Sequence, residues 1–146
     1  DTLNYFYNFK HNPREQELVQ EIQKATNLGF TPYLSKCSAK LMKKFGFDMI
    51  KGNTITSPGF FAPQGRKIRL PLRLPNLVRD LTQFHSNGFW LTNFEMETAA
   101  YYALAKLMGH EMLSLNAIIA NRTKEEFSKD YAKVVDELII TTLNRI

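Results

Sequence analysis

A single cysteine, Cys37, stands among 146 residues, so no disulfide can close within the chain and a disulfide-stapled scaffold is excluded. A lone thiol agrees with a reducing compartment, and a cytoplasmic location is expected. Glycine and proline are sparse, at 7 and 6 residues, which excludes collagen and a disordered tail. No apolar run approaches the roughly 20 residues that cross a bilayer, so no membrane partner is expected. Residues 1–10 lack a basic stretch followed by an apolar one, and nothing reads as a secretory signal. The chain does not begin with Met, which leaves room for a start upstream. Histidine is scarce too: His11, His85 and His110 are too scattered for metal-ligand spacing, and no metal is expected. Gly88 and Gly109 form no phosphate-cradling loop, and Ser57-Pro58-Gly59 lacks the nucleophile-elbow pattern.

What remains is an ordinary globular composition, 44% hydrophobic and 23% charged, long enough for one domain with a sizeable core spanning 1–146. The net charge is +5, which turns attention to polyanions. The bases are nevertheless dispersed. Lys36, Lys40, Lys43 and Lys44 gather around one helix, Arg66 to Arg79 form a second basic stretch, and no exposed aromatics interleave with either. No nucleic-acid partner is therefore expected. A phosphate-bearing or otherwise anionic small ligand suits the same surplus.

Helical spacing of Leu18, Ile22 and Ala25 behind Pro13 predicts a helix that ends at Asn27 and Gly29. Ser35 or Ser38 would cap a second one through Leu41, Met42 and Phe45, stopped by Gly46. Asp48 to Thr56 reads as a strand, Leu77 to Phe84 as a helix, and Phe89 to Phe94 as a short buried strand. Glu97 to Met108 is a helix closed by Gly109. Met112 to Ala120 reads as a buried strand, Asn121 to Glu126 as a polar turn, and Phe127 to Ile146 as an amphipathic helix. Alternating strands and helices predict an α/β fold, a mixed central sheet flanked by helices.

Three segments follow predicted strands, where ligands of open α/β sheets collect. They are Gln64-x-Arg66, Asn93-Phe94-Glu95-Met96-Glu97, and Ile119-Ala120-Asn121-Arg122-Thr123. Each has a bland reading. Glu97 near a helix N-terminus is favourable through the helix dipole alone. Met96 suits core packing, Gln64 and Arg66 could be solvated loop groups, and Arg122 could form a weak surface pair with Glu125 or Glu126. Two carboxylates also fit a metal or glycosidase site, but Glu95 and Glu97 point opposite ways on extended backbone. Composition and spacing alone lead to an α/β domain with a polar site.

Taken together and in this order, the run G-N-T-I-T-S-P-G-F-F-A-P-Q-G-R from Gly52 to Arg66, N-F-E-M-E-T-A-A from Asn93 to Ala100, and I-I-A-N-R-T from Ile118 to Thr123 resemble the second half of a nucleoside phosphorylase. The family is that of the hexameric uridine phosphorylases and purine nucleoside phosphorylases. Within it the pattern resembles the uridine branch. Purine enzymes carry an Asp near the position of Asn121 that protonates the departing base, and the Asn121 amide is no general acid.

The resemblance implies phosphorolysis of uridine to uracil and ribose 1-phosphate. It makes Gln64 and Arg66 the residues that hold uracil, with Arg66 stabilising the charge that spreads onto the leaving base. Glu97 would accept hydrogen bonds from the ribose hydroxyls. Met96 would pack on the sugar, Glu95 would border base and ribose, and Phe60 would stack on or edge the uracil. Ile119 and Ala120 would wall the base pocket, with Arg122 a cation behind Arg66. Ala120 is small for its place, which predicts tolerance of thymidine or a 5-substituted uracil.

The resemblance also implies that inorganic phosphate is co-substrate and that no cofactor is needed. The family's glycine loop and phosphate-binding arginines have no counterpart here, so phosphate would bind mainly outside this chain. The chain would be the base- and ribose-binding portion of the fold, associated with a missing N-terminal half or assembled as a homo-oligomer built from dimers. The readings it competes with are a purine nucleoside phosphorylase or nucleosidase, a non-catalytic nucleoside-binding fragment, and a nucleic-acid binder.

Overall fold

A computed structural model describes residues 7–146, so the first six residues of the expected 1–146 span lie outside the description. Two compact units divide the chain: Asp1–Lys36 with Lys51–His110, and Cys37–Ile50 with Glu111–Ile146.

The first unit opens on helix α1, Pro13–Thr26, with Pro13 in its first turn, where a missing N–H costs nothing. Asn12 Oδ1 accepts from the Glu15 N–H at 2.9 Å and Glu15 Oε2 accepts from the Asn12 N–H at 3.1 Å, a reciprocal cap. The helix ends where predicted, with Asn27 in the left-handed region. Strand β1 (Thr54–Thr56), the 3-10 turn Ala62–Gln64, helix α2 (Leu77–Gln83), and strands β2 (His85–Ser86), β3 (Phe89–Trp90) and β4 (Asn93–Glu95) follow, closed by helix α3, Thr98–Met108. Ile22 of α1 meets Leu81 and Phe84 at the centre, with Leu18, Leu34, Ile55, Leu77, Phe89, Leu91 and Phe94 packed around them. The core therefore lies where α1 and α2 meet the β1 and β4 strands.

The fold is α/β, and the expected mixed sheet takes the form of three two-stranded ladders among the described residues: β1 with β4 in parallel, β2 with β3 antiparallel, and a third antiparallel pair in the second unit. The predicted strand over Phe89 to Phe94 is thus two strands with different partners. Its break has a clear cause. Asn53 accepts from the Thr92 N–H at 2.9 Å through its carbonyl and donates its side-chain amide to the Trp90 carbonyl at 2.8 Å. Those bonds turn the chain between the β2–β3 hairpin and β4. The same contacts shorten the strand predicted over Asp48 to Thr56 to its last three residues, and a Cβ at Gly52 would overlap Thr92 Oγ1.

The second unit holds helix α4 (Ala39–Phe45), strands β5 (Ala120–Asn121) and β6 (Glu126–Phe127), and helix α5 (Tyr131–Leu143). Of the two proposed caps Ser38 is the one used, accepting from the Leu41 N–H at 3.0 Å. Arg145 ties its ends together. Its guanidinium grips Asp48 at 2.9 and 2.8 Å, donates to the Phe45 carbonyl, and lies 4.8 Å from the centre of the Phe47 ring.

Met112 to Ala120 is a correction: only Ala120 joins a strand, and none of the segment is buried. A strand needs a ladder along its length. Here backbone bonds hold its two ends, from the Ser38 N–H to the Met112 carbonyl and from the Ser128 N–H to the Ile119 carbonyl, both at 2.8 Å. Helix α5 likewise begins at Tyr131 rather than Phe127, where Asp130 caps it from the Lys133 N–H at 3.0 Å.

Candidate functional site

Thr54, Ile55 and Thr56 lie opposite Asn93, Phe94 and Glu95 in parallel register, so β1 and β4 finish side by side at the same end. The Ser57 N–H extends the ladder to the Glu95 carbonyl at 2.9 Å. From that end leave the two segments singled out in the first unit: the loop carrying Phe60, Gln64 and Arg66, and the junction Glu95-Met96-Glu97.

The loop is tightly wound. Gly65 donates to the Ala62 carbonyl and Arg66 to the Phe61 carbonyl, each at 2.9 Å. Gly65 has φ +72°, and a Cβ there would come within 2.6 Å of Val78 Cγ2 on α2, so both conformation and space require glycine. Gln64 is buried, although the neighbouring Phe60 and Phe61 are half exposed. Arg66 Nη1 donates to Gln64 Oε1 and to the Phe60 carbonyl, each at 2.6 Å. Its guanidinium carbon lies 3.8 Å from the centre of the Phe60 ring, and Phe61 meets Phe60 edge-on at 5.3 Å. Gln64, Arg66 and Phe60 therefore form one preassembled group rather than three solvated side chains. The Arg66 contact also orients the Gln64 amide: its oxygen faces Arg66, which leaves its NH2 as the donor for a ligand.

The junction divides its two carboxylates. Glu95 Oε2 accepts from the backbone N–H of Glu97 and of Thr98, both at 2.7 Å, and Oε1 accepts from the Thr56 hydroxyl. Burial pushes the Glu95 carboxyl up, but the Thr56 hydroxyl and these N–H groups outweigh it and hold it below the usual glutamate range. Glu95 thus caps α3. Glu97 is the residue at the cap position, yet its side chain makes no capping bond. Its carboxylate is exposed and, among the described residues, takes only the Met96 N–H, at 3.2 Å. Met96 is 40% exposed, which places it on the surface of this end and not in the core. The capping role that helix-dipole reasoning gives Glu97 belongs to Glu95.

Ile119, Ala120 and Arg122 belong to the second unit. Ile119 is exposed, Ala120 and Arg122 are half-buried. Asn121 Oδ1 accepts from the N–H of Thr123 and of Lys124 at 3.1 Å, folding the β5–β6 turn onto its own side chain.

Two residues of this end escaped the sequence reading. Thr56 lies within the Gly52–Arg66 motif and is opposite Glu95 in the ladder; its partner is 39 positions away, which no local pattern reports. Burial, then the negative charge of Glu95, push the Tyr33 phenol up, so Tyr33 is within electrostatic reach of the site. Its ring meets Phe9 edge-on at 5.7 Å. No spacing signal in its neighbourhood pointed there.

Comparison with known proteins bears on the family and the fold. The profile of the Phosphorylase superfamily matches residues 4–144. A uridine phosphorylase from Thermococcus kodakarensis is 38% identical over 81 residues, 53% of this chain and 27% of that protein. In fold, the chain superposes on a Trypanosoma brucei nucleoside phosphorylase, described as showing uridine phosphorylase activity, with a TM-score of 0.83 at 21% identity. That match covers 99% of this chain and 54% of the other. The chain thus spans about half of the solved relative, and its alignment to the curated one covers about a quarter of that protein.

Proposed function

This chain belongs to the Phosphorylase superfamily, and on that premise we propose that it is the base- and ribose-binding portion of a uridine phosphorylase-type pentosyltransferase. The observation that carries the reading is the preassembled Gln64–Arg66 pair at the same strand end as an uncapped Glu97. The Gln64 NH2 would donate to a uracil carbonyl, and Arg66 would face the other polar edge of the base. Glu97, free of structural duty, would accept the ribose hydroxyls, with Met96 against the sugar and Glu95 holding the junction in place.

In the reaction a phosphate oxygen forms a bond to C1′ as the C1′–N1 bond breaks. The electron pair leaves with uracil and spreads onto its carbonyls, and the base is protonated afterwards. A guanidinium already fixed by Gln64 and Phe60 needs no reorganisation to meet that charge, so it stabilises the transition state more than the ground state. Phosphate would be held mainly by residues outside this chain. Residues 1–146 would be one domain that completes its site with an N-terminal half, in a cytoplasmic homo-oligomer built from dimers. Ile119 and Ala120 would wall the base, with Arg122 behind Arg66.

The choice of uridine over purine rests on Gln64 and Arg66 more than on Asn121, because the Asn121 side chain is occupied by its own turn. The test is base release from uridine and from inosine, with and without phosphate, by the intact protein. Phosphate-dependent uracil release is expected. Preference for inosine would move the protein to the purine branch, release without phosphate would make it a nucleosidase, and uridine binding without turnover would make it a binding module.

A further inference from the structure

We infer that Thr56 is a positioning residue for the Glu97 carboxylate, acting through Glu95 and the first turn of α3. The inference rests on the reading of Glu97 as the ribose-binding group.

The Thr56 hydroxyl has one proton and directs it to Glu95 Oε1; through a lone pair it accepts the Ala99 N–H at 2.8 Å. Glu95 Oε2 meanwhile takes the N–H groups of Glu97 and Thr98. Three successive backbone donors at the start of α3, from Glu97, Thr98 and Ala99, are therefore satisfied by two side chains that stand opposite each other on β1 and β4. A helix start leaves such donors without intrahelical partners, and a side-chain oxygen of the cap residue commonly accepts from one of them. Here Thr56 and Glu95 supply the acceptors. That arrangement releases Glu97 from capping and pins its backbone N–H, which fixes where its Cα–Cβ bond points.

The distribution of bonds explains why a hydroxyl is needed at this position. Valine has the same branched shape and suits a strand, but can neither donate to Glu95 nor accept from Ala99. The Ala99 N–H would then need another acceptor, and the exposed Glu97 carboxylate belongs to the cap residue of the same helix. A Glu97 drawn inward to cap its own helix would lose its reach to a ligand. Serine keeps both bonds with only a methyl group removed.

A carboxylate that receives two vicinal hydroxyls is sensitive to position in a way that one receiving a single hydroxyl is not. The experiment is to compare phosphorolysis of uridine and 2′-deoxyuridine by the intact protein carrying Thr56→Val or Thr56→Ser. Misplacement of a positioned group costs on the order of 10- to 100-fold. Thr56→Val should lower kcat/KM for uridine by that order, mainly through KM, and affect 2′-deoxyuridine much less, so that the ratio between the two substrates falls. Thr56→Ser should restore the ratio. Thr56→Ala removes the same hydroxyl with less bulk and should reproduce the Val result if that variant folds poorly. An unchanged ratio in variants that turn over both substrates, whatever the change in melting temperature, would overturn the role of Thr56 and leave the functional reading intact. Absence of uridine binding and turnover in the wild-type protein would overturn the functional reading, and the ribose role of Thr56 with it.

Discussion

Changing Glu95 and Glu97 to glutamine, one at a time, should separate stability from activity, because the structure assigns the two carboxylates different tasks. Glu95 receives hydrogen bonds from the Thr56 hydroxyl, from the Thr98 side chain and from the backbone N–H groups of Glu97 and Thr98 at the start of α3. Loss of a helix cap costs about 0.5–2 kcal/mol, and bonds to a charged acceptor are stronger than neutral ones. Glu95 is only half-buried, so solvent screening keeps the loss for Glu95→Gln at about 1–2 kcal/mol. Glu97 holds one long bond to Met96 from an exposed position, and Glu97→Gln should shift stability by less than about 0.5 kcal/mol. With a urea slope of about 1–3 kcal/mol per molar, the first variant should lower the unfolding midpoint by roughly 0.5–1 M and the second by little. The one tryptophan, Trp90, is on β3 in the same unit and supplies the fluorescence signal. Turnover should show the reverse order. A hydrogen bond to a charged group is worth about 1.5–3 kcal/mol, so Glu97→Gln should lower kcat/KM for uridine by roughly 10- to 100-fold. Equal loss of stability in both variants, or full turnover by Glu97→Gln, would refute the division of labour.

Other consequences can be measured with the same assays. Gly65→Ala forces a side chain into φ +72° and onto Val78, so it should destabilise by about 1–3 kcal/mol and disturb Gln64 and Arg66; a wild-type midpoint and normal turnover would contradict the geometry. Arg66→Ala should reduce kcat by about 10²–10³-fold while uridine KM changes less, since its charge is needed most as the base departs; a pure KM effect would make Arg66 a binding group. For Glu15, burial raises the carboxyl and the Asn12 N–H and Lys36 more than reverse it, so Glu15, like Glu95, titrates below the usual glutamate range. A depressed carboxylate contributes stability that is complete above about pH 4.3, the ordinary value, and is lost as pH falls through the depressed one. Thermal unfolding should therefore be flat from neutral pH to about 5 and fall below about pH 4, less steeply in Glu95→Gln; parallel curves would exclude Glu95 as a contributor. Finally, Ala120→Val should reduce any use of 5-methyluridine relative to uridine, and an unchanged ratio would remove Ala120 from the base pocket.

The helices were legible because their signals are local. Pro13, Asn27 in the left-handed region, and Gly109 at φ +72° each act within one turn of the helix end they define. The Gln64-x-Arg66 and Glu95-Met96-Glu97 segments were legible as motifs for the same reason. Their internal roles were not. Which glutamate caps α3 depends on Thr56, a residue of another strand, and sequence spacing contains no term for that contact. Met112 to Ala120 failed in a related way: its apolar residues have the pattern of a buried strand, but being a strand requires a partner along the whole segment, and of these residues only Ala120 joins a ladder.

The relative register of β1 and β4 is where fold and candidate chemistry depend on each other most closely. Asn93 Oδ1 accepts the hydroxyls of Thr54 and of Thr92, each at 2.9 Å, so one side chain fastens β4 both to its neighbour strand and to the preceding turn. That bond sets Thr54 against Asn93, and pairing then brings Thr56 to Glu95 two residues later. A slip of one residue would turn every side chain of the strand to its opposite face, breaking the Thr56–Glu95 bond and freeing Glu97 to cap its own helix. The threonines in Thr54-Ile55-Thr56 are therefore not interchangeable with other strand formers: the first selects the register, the second uses it, and Ile55 between them faces the core. Asn93→Ala should accordingly act on uridine turnover as well as on folding, although it lies outside the Gln64, Arg66 and Glu97 group, and a variant that loses stability yet keeps the uridine to 2′-deoxyuridine ratio would show that the register is held without it.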